Sequence, residues 1–385
     1  MKITDINLTY METRGHYTYS EIMQQPRMWQ REFDRIKADR KQIETFVNRY
    51  VDGGYEAIFT GAGTSAYIGD VLEVAVADTI FRGARSVATT DLITHPTTYF
   101  SPEKKVLLIS FARSGNSPES MGAVTLADSI CGDNIAHIFI TCNEKGRLAQ
   151  IAGRENCLLL LLPPETDDKS LAMTSSFSTM LLTALLLANI RKLEFEEAPI
   201  RNLVAYAAGV LEKYDAAIRG IAARDFSRAI FLGSGELKGI AEESHLKLQE
   251  LTDGGVVCSF DSFLGFRHGP KADVNGASGR SVKLITLAPE AFDSADLIRQ
   301  INSNNHVVAM VAVSPAPAEV PGVDFDLNVV LGDASAQGIY RCIPYVFTAQ
   351  LLGYYKSLAQ GLDPDAPSVS GNISRVVEGV TIYLQ

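Results

Sequence analysis

Short runs of branched apolar residues, without the polar alternation of half-exposed strands, recur along this chain. Val106–Ser110 and His137–Thr141 lie in the first half, and Val282–Thr286 and Val307–Val311 lie in the second. Continuous runs of this kind are typical of parallel strands that are covered by helices on both faces. The pattern therefore predicts an α/β architecture with parallel sheets.

A strand that ends in a glycine-rich turn occurs twice, once near the start of each half. The first copy is AIFTGAGTS at residues 57–65, and the second is AIFLGSGE at residues 229–236. The other apolar runs follow the two copies at similar offsets, so the same arrangement of strands is repeated. This repeat predicts two tandem copies of one flavodoxin-like, doubly wound sheet flanked by helices.

Helical periodicity accounts for the segments between the strands. Apolar positions recur over residues 22–36 behind a candidate N-cap, Ser20, and predict an N-terminal helical segment. Residues 179–190 and 202–214 are predicted to be helices that connect the halves. The run 180–190 is too short to span a bilayer and indicates a buried helix.

Length and pattern together predict the domain organisation. A chain of 385 residues is too long for one ordinary core. We expect a helical lead-in over 1–38, a first α/β domain over 39–200, and a second over 201–385 that includes the C-terminal tail.

Composition excludes several functions. The chain is 46% hydrophobic and 21% charged, as in an ordinary globular protein. Its start lacks a signal-peptide pattern, and its scattered cysteines never form CxxC, so we expect a cytoplasmic protein without a metal cluster. The net charge of −10 argues against a nucleic-acid partner. It does not exclude a small anionic ligand, because backbone amides and hydroxyls in one loop can hold a phosphate.

The first glycine-rich turn places Gly63, Thr64 and Ser65 between a strand and a helix. A helix N-terminus offers N–H groups and a positive dipole end, and the hydroxyls add neutral donors. These residues are therefore candidate phosphate ligands. A tight turn before a capped helix has the same pattern, and the sequence leaves both interpretations open.

The second turn carries a denser set of donors. Arg113, Ser114 and Ser117 surround Gly115, and Pro118 follows where the first turn of a helix tolerates proline. Two hydroxyls and a guanidinium can together enclose one phosphate. A serine N-cap on an ordinary loop is the alternative, but convergence of both turns at one edge of a parallel sheet favours the phosphate site.

Three charged residues of the second half share one face of a predicted helix. Glu243, Lys247 and Glu250 stand at positions i, i+4 and i+7. A solvated ladder of salt bridges is the ordinary explanation of this spacing. The alternative is a catalytic carboxylate that moves a proton between neighbouring carbons, beside a lysine that steadies the developing enediolate.

Two further groups carry polar side chains. Ser175 and Ser176 follow Thr174 ahead of an apolar helix, which alone is more typical of a helix cap than of a ligand site. His268 lies in the loop FRHGPK (266–271), where an imidazole can move protons to and from a sugar ring oxygen. A loop histidine is often incidental.

Several linked motifs occur in the order found in sugar-isomerase (SIS) domain proteins. They are GAGTSAYIG (61–69), RSGNSPES (113–120), ITCN (140–143), HLKLQEL (245–251) and FRHGP (266–270). The segment EIMQQP (21–26) also resembles the lead-in of the glucosamine-6-phosphate synthase isomerase module. The chain most resembles the AgaS-type proteins, which are tagatose-6-phosphate ketose/aldose isomerases or galactosamine-6-phosphate deaminases, and the match covers nearly its whole length.

The resemblance implies a phosphate site in the first of two tandem SIS domains. Ser65, Ser114 and Ser117 match phosphate ligands, and Arg113 stands where the synthase has a glutamine beside that phosphate. Gly63 and Thr64 belong to the same turn.

The resemblance also implies the catalytic roles. Glu250 matches the carboxylate that shuttles the proton between C1 and C2, and Lys247 and Glu243 match its companions on the helix. His268 matches a ring-opening histidine that comes from the partner subunit, which implies a homodimer.

The C-terminal tail departs from the synthase pattern. Where the synthase has a Schiff-base lysine this chain offers Arg375 or, in another alignment, Glu378. Arginine does not readily form an imine, so we expect no covalent lysine route. Arg375, Ser175 and Ser176 are further candidate substrate-binding residues. No metal or organic cofactor is expected, since the carbonyl or imine itself activates the C–H bond.

These features together favour deamination and isomerisation of galactosamine 6-phosphate to tagatose 6-phosphate and ammonia. A plain aldose/ketose isomerase, or a deglycase acting on another amine-linked hexose phosphate, would use the same phosphate grip and proton shuttle. A phosphosugar sensor is the alternative from another class, but it would carry a basic helix-turn-helix, and residues 1–50 contain no recognition-helix pattern.

Overall fold

The computed structural model describes residues 15–274, 281–286, 294–303, 307–376 and 382. The chain divides into two compact units, each built on one five-stranded sheet. The first unit comprises Arg27–Asp167, Ser175–Arg201 and Arg375–Gln385. The second unit comprises Met1–Pro26, Asp168–Thr174 and Asn202–Ser374.

The sheet of the first unit consists of parallel strands. They are β1 (Glu56–Thr60), β2 (Arg85–Ser86), β3 (Val106–Ala112), β4 (Ile135–Thr141) and β5 (Cys157–Leu161). Their order across the sheet is β2-β1-β3-β4-β5. Every residue of β3 and β4 is buried, which explains why their apolar runs lack polar alternation.

The sheet of the second unit repeats this topology. Its strands are β6 (Arg228–Leu232), β7 (Val257–Asp261), β8 (Ser281–Thr286), β9 (Val307–Ser314) and β10 (Leu327–Val330). Their order is β10-β9-β8-β6-β7, which is the order of the first sheet counted from the opposite edge. Both are the flavodoxin-like 2-1-3-4-5 arrangement, so the predicted fold class is confirmed.

Helices connect the strands. They are α1 (His16–Met23), α2 (Gln25–Ala38), α3 (Arg40–Val51), α4 (Thr64–Ala75), α5 (Thr89–Thr94), α6 (Pro96–Tyr99), α7 (Pro118–Cys131), α8 (Arg147–Gln150), α9 (Ser175–Ala188), α10 (Glu197–Ala222), α11 (Glu236–Leu251), α12 (Phe263–Phe266), α13 (Ser294–Asn302) and α14 (Val346–Ala359). Short 3-10 segments cover Gly132–Asn134, Pro164–Thr166, Ile190–Phe195, Gly269–Val274 and Ser335–Tyr345. Every residue of α9 is buried, as its apolar sequence predicts.

The predicted N-terminal segment is helical, but the prediction that Ser20 caps it is wrong. α1 begins at His16, after Gly15, whose φ of 69° lies in the left-handed region that favours glycine. Ser20 lies inside the helix, and its hydroxyl donates to the carbonyl of Tyr17 at 2.9 Å. A serine within a helix commonly bonds back to the preceding turn in this way.

The two glycine-rich turns have the same backbone conformation. Gly63, before α4, has φ 56° and ψ −132°, and Gly235, before α11, has φ 59° and ψ −135°. A positive φ with this ψ is readily adopted only by glycine. The repeat in the sequence is therefore a repeat in the local geometry of both units.

Candidate functional site

The turn after β1 brings hydroxyls to the start of α4. Gly63 directly precedes the helix, and Thr64 and Ser65 form its first turn, each only 5% exposed. The carbonyl of Gly61 accepts from both the N–H and the hydroxyl of Thr89, at 2.8 and 3.1 Å. Two hydrogen bonds from Thr89 therefore hold this turn.

Gly61 has no room for a side chain. A Cβ there would lie 2.5 Å from the carbonyl carbon and oxygen of Ser65. We expect Gly61→Ala to lower the free energy of unfolding by ~1–3 kcal/mol and to displace the turn, because the obstructing atoms are backbone. Denaturant unfolding measures this, with Gly153→Ala as the control since a Cβ there meets nothing within 4 Å. Equal stabilities of the two variants would contradict the prediction.

The turn after β3 is built around two serines. Ser117 is the N-cap of α7: its hydroxyl accepts from the N–H of Ser120 at 3.3 Å and lies 2.6 Å from the Ser120 hydroxyl. The Ser114 hydroxyl accepts from the N–H of Asn116 at 3.2 Å. Both hydroxyls thus have fixed places at the N-terminal end of a helix, where the dipole favours an anion.

The neighbouring loop after β4 holds this turn in place, a role that the sequence analysis did not assign. The Asn143 side-chain amide donates to the carbonyl of Ser114 at 2.9 Å, and the Thr141 hydroxyl donates to the carbonyl of Arg113 at 3.4 Å. Gly146 allows this approach, since a Cβ there would lie 2.5 Å from the Ser114 carbonyl oxygen. The motif ITCN was the available signal, because its last residue is Asn143.

Arg113 is tied to the C-terminal tail within the first unit. It is 6% exposed, and its guanidinium donates to the carbonyl oxygen of Arg375 at 2.7 Å. The Arg375 guanidinium in turn pairs with Asp167 at 2.5 Å. Arg113 therefore orders the tail in addition to its predicted place beside the serine turn. Glu378 lies outside the described residues.

Ser175 and Ser176 are the first two residues of α9, and both are fully buried. The preceding Thr174 donates its N–H to the Asp168 carboxylate at 2.8 Å. The predicted hydroxyl cluster thus lies at the start of the most enclosed helix of the first unit.

The charged face of α11 is not a solvated ladder. Glu243 and Lys247 are fully buried, and the Glu250 side chain is 23% exposed. The Lys247 ammonium lies 2.8 Å from a Glu250 carboxylate oxygen and 3.3 Å from one of Glu243. Burial alone would lower the pKa of Lys247, but the charges of Glu243 and Glu250 outweigh it and raise that pKa. The lysine therefore stays a cation beside a carboxylate that solvent can reach.

His268 lies at the surface of the second unit. It is exposed and sits in the turn between α12 and the 3-10 segment Gly269–Val274, with its N–H donating to the carbonyl of Gly265 at 3.2 Å. Its ring thus faces solvent in the single chain.

The predicted site residues divide between the two units. The phosphate-ligand candidates, with Ser175, Ser176 and Arg375, belong to the first unit, and Glu243, Lys247, Glu250 and His268 belong to the second. Over the described ranges, no cluster of His, Cys, Asp and Glu has the arrangement of a metal site. No helix in that part of the chain is long and apolar enough to cross a membrane.

Two repeated flavodoxin-like sheets, with serine-bearing turns on one and a buried carboxylate–lysine cluster on the other, define a double-SIS phosphosugar protein. No protein-family model matches the chain. The tagatose-6-phosphate ketose/aldose isomerase from Escherichia coli has the same fold, with a TM-score of 0.85, 32% identity, and coverage of 96% of this chain and 97% of that one.

Sequence relatives give the family. The AgaS protein of Streptomyces coelicolor is 39% identical, with 95% of each chain aligned. The D-galactosamine-6-phosphate deaminase AgaS of a Shewanella species is 35% identical over 95% of this chain and 92% of its own. This chain belongs to the AgaS family.

Proposed function

We propose that this protein converts D-galactosamine 6-phosphate to tagatose 6-phosphate and ammonia. The relative from Shewanella carries the name of that deaminase, and it aligns over nearly its whole length. The observation that carries the proposal is the pair on α11, in which the Lys247 ammonium lies 2.8 Å from a partly exposed Glu250 carboxylate. A cation beside an accessible base suits removal of a proton next to a carbonyl.

The phosphate of the substrate binds at the serine turns of the first unit. Ser65, Ser114 and Ser117 supply hydroxyls at the starts of α4 and α7, and Arg113 adds a guanidinium beside them. Helix N-termini stabilise phosphate without a basic surface, which fits the acidic chain.

Glu250 moves the proton in the open-chain sugar. It removes the proton from C2, the C–H electron pair forms a double bond between C2 and C1, and the C1 carbonyl oxygen takes up a proton. Return of a proton to C1 leaves an imine at C2. Water adds to this imine and ammonia leaves, which gives the ketose. Lys247 and Glu243 fix Glu250 and balance the charge that develops.

His268 opens the pyranose ring in this proposal, and it does so from a second copy of the chain. Its exposed position in a surface turn supports such a role, because the imidazole is accessible to another subunit. The active species is then a homodimer. No cofactor takes part. We also propose a cytoplasmic location, which the five free cysteines support since disulfides form in oxidising compartments.

The test is direct. Purified protein is incubated with galactosamine 6-phosphate, and ammonia and ketose phosphate are assayed together. Equal amounts of both products support the deaminase. Activity on tagatose 6-phosphate with neither product from the amino sugar would favour the plain isomerase, the activity named for the Escherichia coli structure. No turnover of either substrate would overturn the proposal.

A further inference from the structure

α1 carries a buried carboxylate that the proposed chemistry does not use. Glu21 is 5% exposed, and it faces residues 168–174, the segment of the second unit that leads into α9. One of its oxygens accepts from the N–H of Lys169 at 2.6 Å and from the N–H of Ser170 at 3.4 Å. The Ser170 hydroxyl makes a close contact with the other oxygen. The Glu21 side chain of α1 therefore binds the backbone of this segment.

The segment has other attachments within the same unit. The N–H of Leu171 donates to the carbonyl of Asp365 at 3.0 Å, and the Asp365 carboxylate accepts from the N–H of Thr18 at 2.7 Å. The Asp168 carboxylate accepts from the N–H of Thr174. The two ends of the segment are thus bonded to each other, its middle is bonded to Asp365, and the contact at Lys169 and Ser170 is made by Glu21.

Two oxygen atoms lie within hydrogen-bond distance of the Ser170 hydroxyl. One belongs to the Glu21 carboxylate, and the other is the carbonyl oxygen of Ala172, at 3.1 Å. A hydroxyl has one proton to donate. A protonated Glu21 donates to Ser170, which then donates to Ala172, so both contacts become hydrogen bonds. If Glu21 is ionised, the Ser170 hydroxyl donates its hydrogen bond to the carboxylate, and the Ala172 carbonyl no longer receives that bond.

Electrostatics agree with this assignment. Burial, and next the charge of Asp168, raise the pKa of Glu21 to about 7, although the bonds from Ser170 and Lys169 act in the opposite direction. The Lys169 ammonium lies 4.9 Å from the centre of the Tyr17 ring, and the Asp365 and Asp363 carboxylates accept from the N–H groups of Thr18 and Gly15 at the start of α1. At Glu21 the folded protein therefore binds more protons than the unfolded one between pH 4.5 and about 7, and the stability that this group contributes falls as the pH rises through that interval.

We propose that Glu21 is a positioning residue that, in its protonated form, holds residues 168–174 and thereby sets the start of α9, where Ser175 and Ser176 lie. Thr174 is bonded covalently to Ser175, so displacement of the segment moves the first turn of α9. Ionisation of Glu21 loosens the segment. The consequence for catalysis rests on the proposed function, whereas the hold on the segment does not.

Hydrogen exchange tests the hold without any substrate. Glu21→Gln reproduces the protonated acid, because its carbonyl accepts from Lys169 and its amide donates to Ser170. Glu21→Ala removes both contacts. We expect exchange of the amides of residues 169–171 to quicken by about tenfold or more in the alanine variant and to stay near wild type in the glutamine variant at pH 6. Glu44→Gln is the control, because the Glu44 side chain is partly exposed and pairs with Arg40.

Measurement at pH 8 separates positioning by the proton from simple packing. Exchange of the amides of residues 169–171 in the wild type, divided by that in Glu21→Gln at the same pH, should rise between pH 6 and pH 8, because the intrinsic dependence of exchange on pH is common to both and only the wild type ionises at residue 21. The Glu44→Gln control retains Glu21 and should show the same rise as the wild type. A glutamine variant with the wild-type rise, or an alanine variant that exchanges like wild type, would overturn the proposal.

Turnover provides a second, distinguishable readout. With galactosamine 6-phosphate, Glu21→Ala should raise KM more than it lowers kcat. In the wild type we expect kcat/KM to fall above pH 7 as Glu21 ionises, and Glu21→Gln should keep a KM near wild type and lack that fall. A wild-type protein with no turnover defeats the proposed function, and the exchange measurements still decide the role of Glu21.

Discussion

Glu250→Gln should lower kcat with galactosamine 6-phosphate by about 10²- to 10⁴-fold and leave substrate binding nearly unchanged. The amide keeps the size of the carboxylate and contacts the Lys247 ammonium through its remaining carbonyl oxygen, but it cannot accept the C2 proton. Ammonia release measures turnover, and titration calorimetry measures binding. Glu212→Gln is the matched control, since that glutamate is exposed on α10 of the same unit.

This substitution also separates an enzyme from a sensor. A sensor would bind the sugar phosphate in both forms and show no turnover in either, whereas an enzyme should bind and stop turning over. Full kcat in Glu250→Gln would show that the Glu250 carboxylate does not transfer the C2 proton.

Lys247→Met should destabilise the second unit strongly. The lysine is fully buried between two carboxylates, and its removal leaves the fully buried Glu243 without its cation at 3.3 Å. Loss of one partner of a buried ion pair typically costs about 3–5 kcal/mol. Relaxation is restricted because α14 packs closely here: a Cβ at Gly353 would lie 3.2 Å from the Lys247 carbonyl oxygen.

Denaturant unfolding with a probe in the second unit measures this effect. Lys238→Met on the same helix is the control, since its exposed side chain should change the free energy of unfolding by less than about 0.5 kcal/mol. Adding Glu243→Gln to Lys247→Met should recover part of the loss, because the stranded charge is then gone. A Lys247→Met variant as stable as the control would contradict the buried-cation account.

The central strands of both sheets could be predicted from the sequence, and the edge strands could not. β1, β3 and β4, with β6, β8 and β9, coincide with the apolar runs because strands inside a covered sheet are buried on both faces. The edge strand β2 has only two residues, β5 alternates between buried and half-buried positions, and β7 has one exposed and four half-buried residues. The domain boundaries at residues 38 and 200 stay predictions.

The candidate site was predictable only where a motif marked it. The spacing of Glu243, Lys247 and Glu250 gives a shared helical face, but it cannot distinguish a solvated ladder from a buried cluster, which depends on α14 packing against that helix. Asn143 and the partner of Glu21 were missed for a similar reason. Asn143 bonds to the backbone carbonyl of Ser114 and Glu21 bonds mainly to the backbone of residues 169 and 170, so the motifs ITCN and EIMQQP mark these residues without showing what they contact.

The glycine turns of the two units have the same backbone conformation, but they differ in the residues that follow, and this difference sets how many phosphates one chain can bind. Where the first turn is followed by Thr64 and Ser65, the second is followed by Glu236, whose carboxylate engages the Arg341 guanidinium at 3.1 Å. The positive end of α11 is thus satisfied by the protein's own anion, and a second phosphate would meet a negative charge there. We therefore expect each chain to bind one sugar phosphate, although the fold contains two copies of the glycine turn.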